Sequence, residues 1–316
     1  MSTTASSRTS AEIGSQPTTW RQAAASVARH AAALPRRGER VAVIGCGTSW
    51  FMAQSYATLR ESGGHGETDA FAASEFPHPR TYDRILAISR SGTTTEVLDL
   101  LRLVKGTTPT SAITADPATP VMRAADSVAV LDFADEESVV QTRFATTTLA
   151  LLRAHLEAEG ALPSGICTVE RAAKDAESAV SAPLDARVCG AEQFTFLGTG
   201  WTYGLALEAG LKMREAAGAW TEAYPAMEYR HGPISITAPG RVAWVFGSVP
   251  EGLADDVDRV GGTLVAGSRP VDGDLDPLAD LVRAQRLAVA RAEAQGHDPD
   301  RPRNLTRSVV LGNGHE

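Results

Sequence analysis

Residues 41–50 read VAVIGCGTSW and residues 194–201 read FTFLGTGW. Each is an apolar run that closes on a glycine and shows no polar alternation. That is the pattern of a parallel strand buried on both faces. Working outward from the first run, RILAIS at 84–89, TSAITAD at 110–116 and SVAVLDF at 127–133 read the same way. A further strand is expected over roughly Glu67–Ala72. FMAQSYATLRESGG predicts a helix stopped at Gly63 and Gly64. SGTTTEVLDLLRLVK predicts a second helix, and about Thr142–Glu159 a long third. Trp20, Ala24, Val27, Ala31 and Leu34 share one helical face and predict a helix ahead of the first strand. Strand and helix alternate, which requires crossover connections and a doubly wound α/β sheet.

The second half follows the same plan. Gly45 precedes Glu75 by thirty residues, and Gly198 precedes Glu228 by the same thirty. RVAWVFGS at 241–248 echoes RILAISRS at 84–91. Two copies of one α/β unit are therefore expected, joined by Pro183–Glu192 and followed by a last helix over Pro277–Gln295. The expected division is an N-terminal tail and helix over 1–36, a first subdomain over 37–182, a second over 183–300 and a C-terminal tail over 301–316. MSTTASSRTS at the start reads as a loose polar tail.

Composition narrows the function. The chain has 316 residues, 43% of them hydrophobic and 22% charged, enough for a sizeable core. A net charge of −8 provides no global positive field for nucleic acid. No apolar run reaches membrane-spanning length, so no membrane partner is expected. Three cysteines, Cys46, Cys167 and Cys189, make neither a disulfide framework nor a zinc spacing, so a reducing, cytoplasmic location and no metal or cofactor are expected.

The chemistry concentrates after the strand at 84–89. In SRSGTTTE a glycine turn brings hydroxyls to the start of a helix, where free amides and the helix dipole favour an anion. Ser89, Ser91 and Thr94 could each donate to a phosphate. The ordinary alternative is a capped turn. GCGTS at 45–49 does not complete a dinucleotide fingerprint. The second copy has Gly247-Ser248-Val249-Pro250 at the equivalent place, so one phosphate cradle is expected.

Taken together, EIGSQP at 12–17, GCGTSW at 45–50, ASEF at 73–76, SRSGTTTE at 89–96, LALEAGLKMREAAGAWTEAYPAMEYRHGP at 205–233 and PRNLTRSV at 302–309 resemble the SIS (sugar isomerase) family. The resemblance is strongest to the isomerase half of its glutamine–fructose-6-phosphate amidotransferases. It implies two tandem flavodoxin-like SIS subdomains, each a parallel sheet with helices on both faces. It also implies a phosphorylated-sugar ligand and a homodimer with sites near the interface. By position, Thr48, Ser49, Ser89, Ser91 and Thr94 would hold the phosphate, with Arg90, Val139, Gln141, Lys212 and Thr306 also at the substrate. Glu215 matches the base that moves a proton between sugar C1 and C2, and His231 the histidine credited with ring opening. Arg307 stands where the family has an imine-forming lysine, and Arg90 where it has glutamine.

Those two positions are departures. A guanidinium stays protonated and cannot form the imine. The resemblance further implies a chain without the glutaminase half, so no ammonia would be generated from glutamine within it. The expected activity is aldose–ketose isomerisation of a phosphosugar, an amino-sugar phosphate above all, through an enediol. Two alternatives stand beside it: an amino-sugar-phosphate deaminase or fructosamine-phosphate deglycase, and a sugar-phosphate-binding protein without turnover.

Overall fold

The computed structural model describes residues 7–267 and 275–311. Helix α1 (Arg8–Ala25) opens the chain, and the rest divides into two compact units, each built on its own sheet.

One unit holds Thr18–Glu136, Arg143–Val169 and the tail from Thr306. After a single turn α2 (Val27–His30) come β1 (Val41–Gly45), α3 (Thr48–Ser62), β2 (Thr68–Ala72), β3 (Arg84–Ile88), α4 (Thr95–Leu103), β4 (Thr110–Thr114), α5 (Val121–Ala124), β5 (Ser127–Val130) and α6 (Arg143–Ala158). The strands are parallel in the order β2-β1-β3-β4-β5. Every residue of β1, β3 and β4 is buried, as strands of a parallel sheet covered on both faces are. Ala42, Ile44, Ile85 and Ala87 face one way and pack on Val97, Leu98 and Leu101 of α4. Their neighbours Val41, Val43, Leu86 and Ile88 point the other way and are equally buried. Helix α3 packs on β1, β2 and α6.

The other unit holds α1 up to Pro17, Glu137–Thr142 and Glu170–Leu305. It contains α7 (Val169–Ser181), α8 (Ala186–Cys189), β6 (Gln193–Gly198), α9 (Thr202–Ala217), β7 (Thr221–Pro225), β8 (Arg241–Phe246), α10 (Leu253–Arg259), β9 (Thr263–Ala266) and α11 (Pro277–Ala294). Its parallel order, β7-β6-β8-β9, repeats the first four positions of the other sheet. Leu197, Ala243 and Val245 pack on Leu253 and Val257 of α10. Phe194, Phe196, Trp244 and Phe246 form an aromatic layer, with Trp244 donating to Asp280 Oδ2 at 2.9 Å. Trp244 and Phe246 are thus core residues. A side chain at Gly45 or Gly198 would lie 2.8 or 2.4 Å from the first turn of the helix that follows. Both glycines let that helix start hard against its strand.

Several boundaries differ from expectation. The helix read from Trp20 to Leu34 instead begins at Arg8 and breaks at Ser26, whose hydroxyl donates to Ala23 O at 2.8 Å. The segment read as a loose tail is already helical at Arg8, because Asp300 Oδ1 and Oδ2 accept from the Thr9 and Arg8 amides. That cap comes from 291 residues away and leaves no local signal. The 127–133 strand stops at Val130, and Asp132–Ala134 turn into a 3₁₀ segment. Helix α7, expected with the first subdomain, groups with the second unit, as does the 137–142 segment. Strands β7 and β9 lie at the sheet edges and are half-exposed, so their sequences carry no buried run. Residues 1–6 of the expected tail, 268–274 and 312–316 lie outside the described residues. No helix among the described residues is long and apolar enough to cross a membrane.

One polar cluster sits inside the first unit. His65 is fully buried and its Nδ1 accepts from Arg60 Nε at 3.1 Å. That bond places the neutral ring's proton on Nε2, 3.9 Å from Glu159 Oε2. The His155 ring meets it edge-on at 5.4 Å. Burial, then the Arg60 charge, then His155 and Arg37, hold His65 down to about 4, Glu159 opposing. Burial lowers His155 as well. The unfolded chain takes up these protons near pH 6.5, which the folded chain resists. Stability is therefore full above pH 6.5 and falls as pH drops from there towards 4. His65 accounts for up to about 3 kcal/mol of that fall. Urea unfolding at pH 7.5 and 4.5 measures it, and His65→Gln is expected to flatten the dependence.

Candidate active site

In a 2-1-3-4-5 sheet the loops leaving the C-terminal ends of β1 and β3 part in opposite directions, and the crevice between them is the fold's ligand position. The two segments singled out in the first half occupy those loops. After β1, Thr48 and Ser49 form the buried first turn of α3. After β3, Ser89, Arg90 and Ser91 are buried and lead into α4. Ser89 Oγ lies 3.4 Å from Thr94 Oγ1 and accepts from the Gly92 amide at 3.2 Å. Ser91 Oγ accepts from the Thr93 amide at 3.2 Å and lies 3.0 Å from the Thr93 hydroxyl oxygen. The hydroxyls expected to cradle a phosphate are thus gathered at the N-terminus of a nine-residue helix, where an anion is favoured.

The equivalent loops of the second sheet are closed by their own hydroxyl. Thr202 Oγ1 accepts from the Thr199 amide at 2.8 Å and donates to Phe246 O at 2.9 Å. The bond ties the ends of β6 and β8 together.

Arg90 does not reach into the cradle. Its guanidinium lies 3.5 Å from Glu136 Oε2, and both side chains are buried. It also donates to Arg307 O at 3.2 Å. The C-terminal tail lies along the loop. Arg307 Nη2 donates to Asp135 Oδ1 and Oδ2 at 2.6 and 2.7 Å, and Nη1 to Glu136 O. Ser308 bonds Ser91 and Thr93, while exposed Thr306 donates to Ser308 O at 2.9 Å. Asp135, Glu136 and Ser308 were not singled out from the sequence. An acidic pair following the last strand of the sheet carries no pattern of its own.

In the second unit, Lys212 and Glu215 meet on one face of α9. The Lys212 ammonium donates to Glu215 Oε2 and lies 3.5 Å from Glu208 Oε1. Glu208 and Lys212 are almost fully buried, whereas the Glu215 side chain is 18% exposed. Glu208 also escaped the sequence reading, although it stands one turn before Lys212. Its spacing, i and i+4, is the available signal. A lysine held between two carboxylates is a poor candidate for the missing imine amine, because an imine needs the neutral form. Of the three groups, Glu215 is the one open to a substrate.

Val139 and Gln141 are half-buried in a segment fixed from α1. Glu12 accepts from the Glu137 amide at 2.6 Å, from the Ser138 amide at 3.3 Å and from the Ser138 hydroxyl. Val139 donates its amide to Asp300 O at 3.1 Å. This gives the EIGSQP motif a physical task. Glu12 shapes the loop, and Gln16 bonds Gln285 at 2.7 Å. His231 is exposed and ends a 3₁₀ turn (Glu228–His231) on a different element from Lys212 and Glu215.

The SIS-domain family profile matches residues 36–158. Those residues are similar to a SIS domain. The match takes in β1 through α6, the sheet that carries the hydroxyl loop. A glutamine–fructose-6-phosphate aminotransferase (isomerizing) of Methanothermobacter thermautotrophicus is 29% identical over 310 residues, covering 86% of this chain and 52% of that protein. The chain spans about half the length of the curated relatives it matches. Among solved structures, a glucosamine-6-phosphate deaminase from Thermotoga maritima superposes with a TM-score of 0.80 at 24% identity, covering 96% of this chain and 100% of the other. The C-terminal domain of glucosamine-fructose-6-phosphate aminotransferase from Francisella tularensis gives 0.78 at 21%, with the same coverage. These likenesses establish a SIS-type α/β fold with two parallel sheets.

Proposed function

We propose that the SIS domain binds a phosphorylated sugar and that the chain interconverts its aldose and ketose forms, with an amino-sugar phosphate as the first candidate. The observation that carries this reading is the gathering of Ser89, Ser91, Thr93 and Thr94 at the β1/β3 crevice, at the start of α4. Thr48 and Ser49 complete the anion site from the neighbouring loop. The phosphate fixes the ligand, and the chemistry takes place at its other end.

Glu215 is assigned the proton transfer. Its carboxylate takes the proton from the carbon beside the carbonyl. The C–H electron pair forms the enediol double bond, and the carbonyl oxygen takes up a proton. Returning the proton to the adjacent carbon, while the other hydroxyl gives its own up, completes the isomerisation. Lys212 keeps Glu215 in place and supplies positive charge beside the developing enediolate. His231 is assigned ring opening by proton transfer, since Arg307 cannot form an imine. Val139 and Gln141 are assigned contacts to the sugar.

The second reading shares these steps. An enolamine formed from an amino-sugar phosphate is reprotonated at C1 to give a ketimine, and water adding at C2 then releases ammonia and leaves the ketose phosphate; the superposition on a protein described as glucosamine-6-phosphate deaminase favours testing for it. Glucose 6-phosphate and glucosamine 6-phosphate incubated with the protein in D2O decide the matter. The expected result is ketose formation with deuterium entering at C1 or C2. Stoichiometric ammonia release transfers the assignment to a deaminase. Saturable binding with neither product assigns a binding protein.

A further inference from the structure

Three donors of the hydroxyl loop are taken by oxygens of the chain's own tail. Ser91 Oγ donates to Ser308 Oγ at 3.1 Å, and Thr93 Oγ1 to the same oxygen at 2.9 Å. The Thr95 amide, first in α4, donates to Val309 O at 3.3 Å, and Leu311 returns its own amide to Thr95 Oγ1 at 2.9 Å. Two hydroxyls and a helix-terminal amide are the groups that would grip the oxygens of a phosphate monoester. The tail is pinned there by a separate set of bonds. Arg307 holds both oxygens of Asp135 and the Glu136 carbonyl, and Arg90 holds the Arg307 carbonyl.

We propose that Thr306–Leu311 is an internal competitor for the anion site, with the Arg307–Asp135 pair as its clasp and Ser308 as the stand-in for a phosphoryl oxygen. The proposal rests on the reading of this loop as a phosphate site. A phosphate monoester brings nearly two negative charges to donors that Ser308 occupies with a neutral hydroxyl, so the ligand displaces the tail when it is present. Until then the tail satisfies the loop's donors and lowers the apparent affinity by the fraction of molecules in which it is docked. The clasp suits a reversible contact, because Arg307 and Asp135 are 40% and 36% exposed. On this account Arg307 is a positioning residue. The family's lysine position has become an anchor for the strand of chain that covers the site.

Inorganic phosphate is the probe, titrated calorimetrically into the wild type, Ser308→Ala and Arg307→Gln, with exposed Arg303→Gln as the charge-matched control. Losing the Ser308 oxygen or the clasp is expected to tighten phosphate binding about three- to tenfold, while Arg303→Gln leaves it unchanged or slightly weaker. Arg307→Gln is the decisive variant. Removing a positive charge near an anion site weakens binding by simple electrostatics, so tighter binding identifies a clasp. In the wild type, phosphate is also expected to speed hydrogen exchange of the amides at 306–311. Variants that bind where the wild type is silent support the competitor. Phosphate binding that is unchanged or weaker in Ser308→Ala and Arg307→Gln, or a tail that becomes better protected on binding, overturns it and leaves the anion site standing. No phosphate binding by any form overturns the anion site and the competitor together.

Discussion

Glu215→Gln is expected to lower kcat by about 10²- to 10⁴-fold, the usual contribution of a positioned general base, while KM for the phosphosugar moves little. Glutamine is isosteric, and its amide oxygen can still accept from Lys212, so the helix and its buried neighbours stay as they are. What is lost is a group able to take the proton from carbon. Deuterium entry from D2O must fall with turnover, because both report that one transfer. Glu208→Gln provides the contrast. Glu208 is fully buried and 3.5 Å from the Lys212 ammonium. Its neutralisation disturbs a buried charge set and is expected to appear first as lost stability. A Glu215→Gln protein that keeps more than roughly a tenth of wild-type turnover removes the base from Glu215.

Arg60→Ala is expected to destabilise the protein by about 3–5 kcal/mol, one of the largest single-residue effects in the chain. Arg60 is fully buried and donates in every direction its fork allows. It bonds His65 Nδ1 at 3.1 Å, Glu67 O at 3.1 Å, Thr68 Oγ1 at 2.7 Å, Arg36 O at 2.8 Å and Glu39 O at 2.9 Å. Those partners lie on the segments that enter β1 and β2, so one guanidinium satisfies the polar groups of both strand entrances. Truncation leaves buried acceptors without a donor. Thermal unfolding is expected to drop by roughly 10 °C. Arg60→Lys is expected to rescue little, because an ammonium cannot reproduce the planar fork. A loss below about 1 kcal/mol in Arg60→Ala contradicts this account of the cluster.

The parts of the fold legible in the sequence were those with a local cause. β1, β3 and β8 carry apolar runs buried on both faces, while β4 and β6 are buried although Thr110, Ser111, Thr114, Gln193 and Thr195 interrupt them. Gly45 and Gly198 mark the close strand-to-helix turns. The start of α1 was not legible, because its cap is Asp300. Nor were β7 and β9, whose half-exposed edges lack a distinctive pattern. The site divides in the same way. Ser89, Ser91 and Thr94 announce themselves as hydroxyls after a strand. Lys212 and Glu215 follow from helical spacing and from the family resemblance. Asp135, Glu136 and Ser308 act through contacts about 170 to 220 residues apart in the chain, which no window of sequence displays.

In the proposed reaction the loop after β3 holds a phosphate ester and a Glu215 carboxylate, of this protomer or another, takes the proton from the sugar carbon. A crystal of the protein soaked with glucosamine 6-phosphate tests both halves at once. The expected density places phosphate oxygens on the Ser89, Ser91, Thr93 and Thr94 hydroxyls, with a Glu215 carboxylate oxygen about 3 Å from C1 or C2. An ordered sugar phosphate bound elsewhere, or bound at the loop with its carbonyl end out of reach of every Glu215 in the crystal, contradicts it.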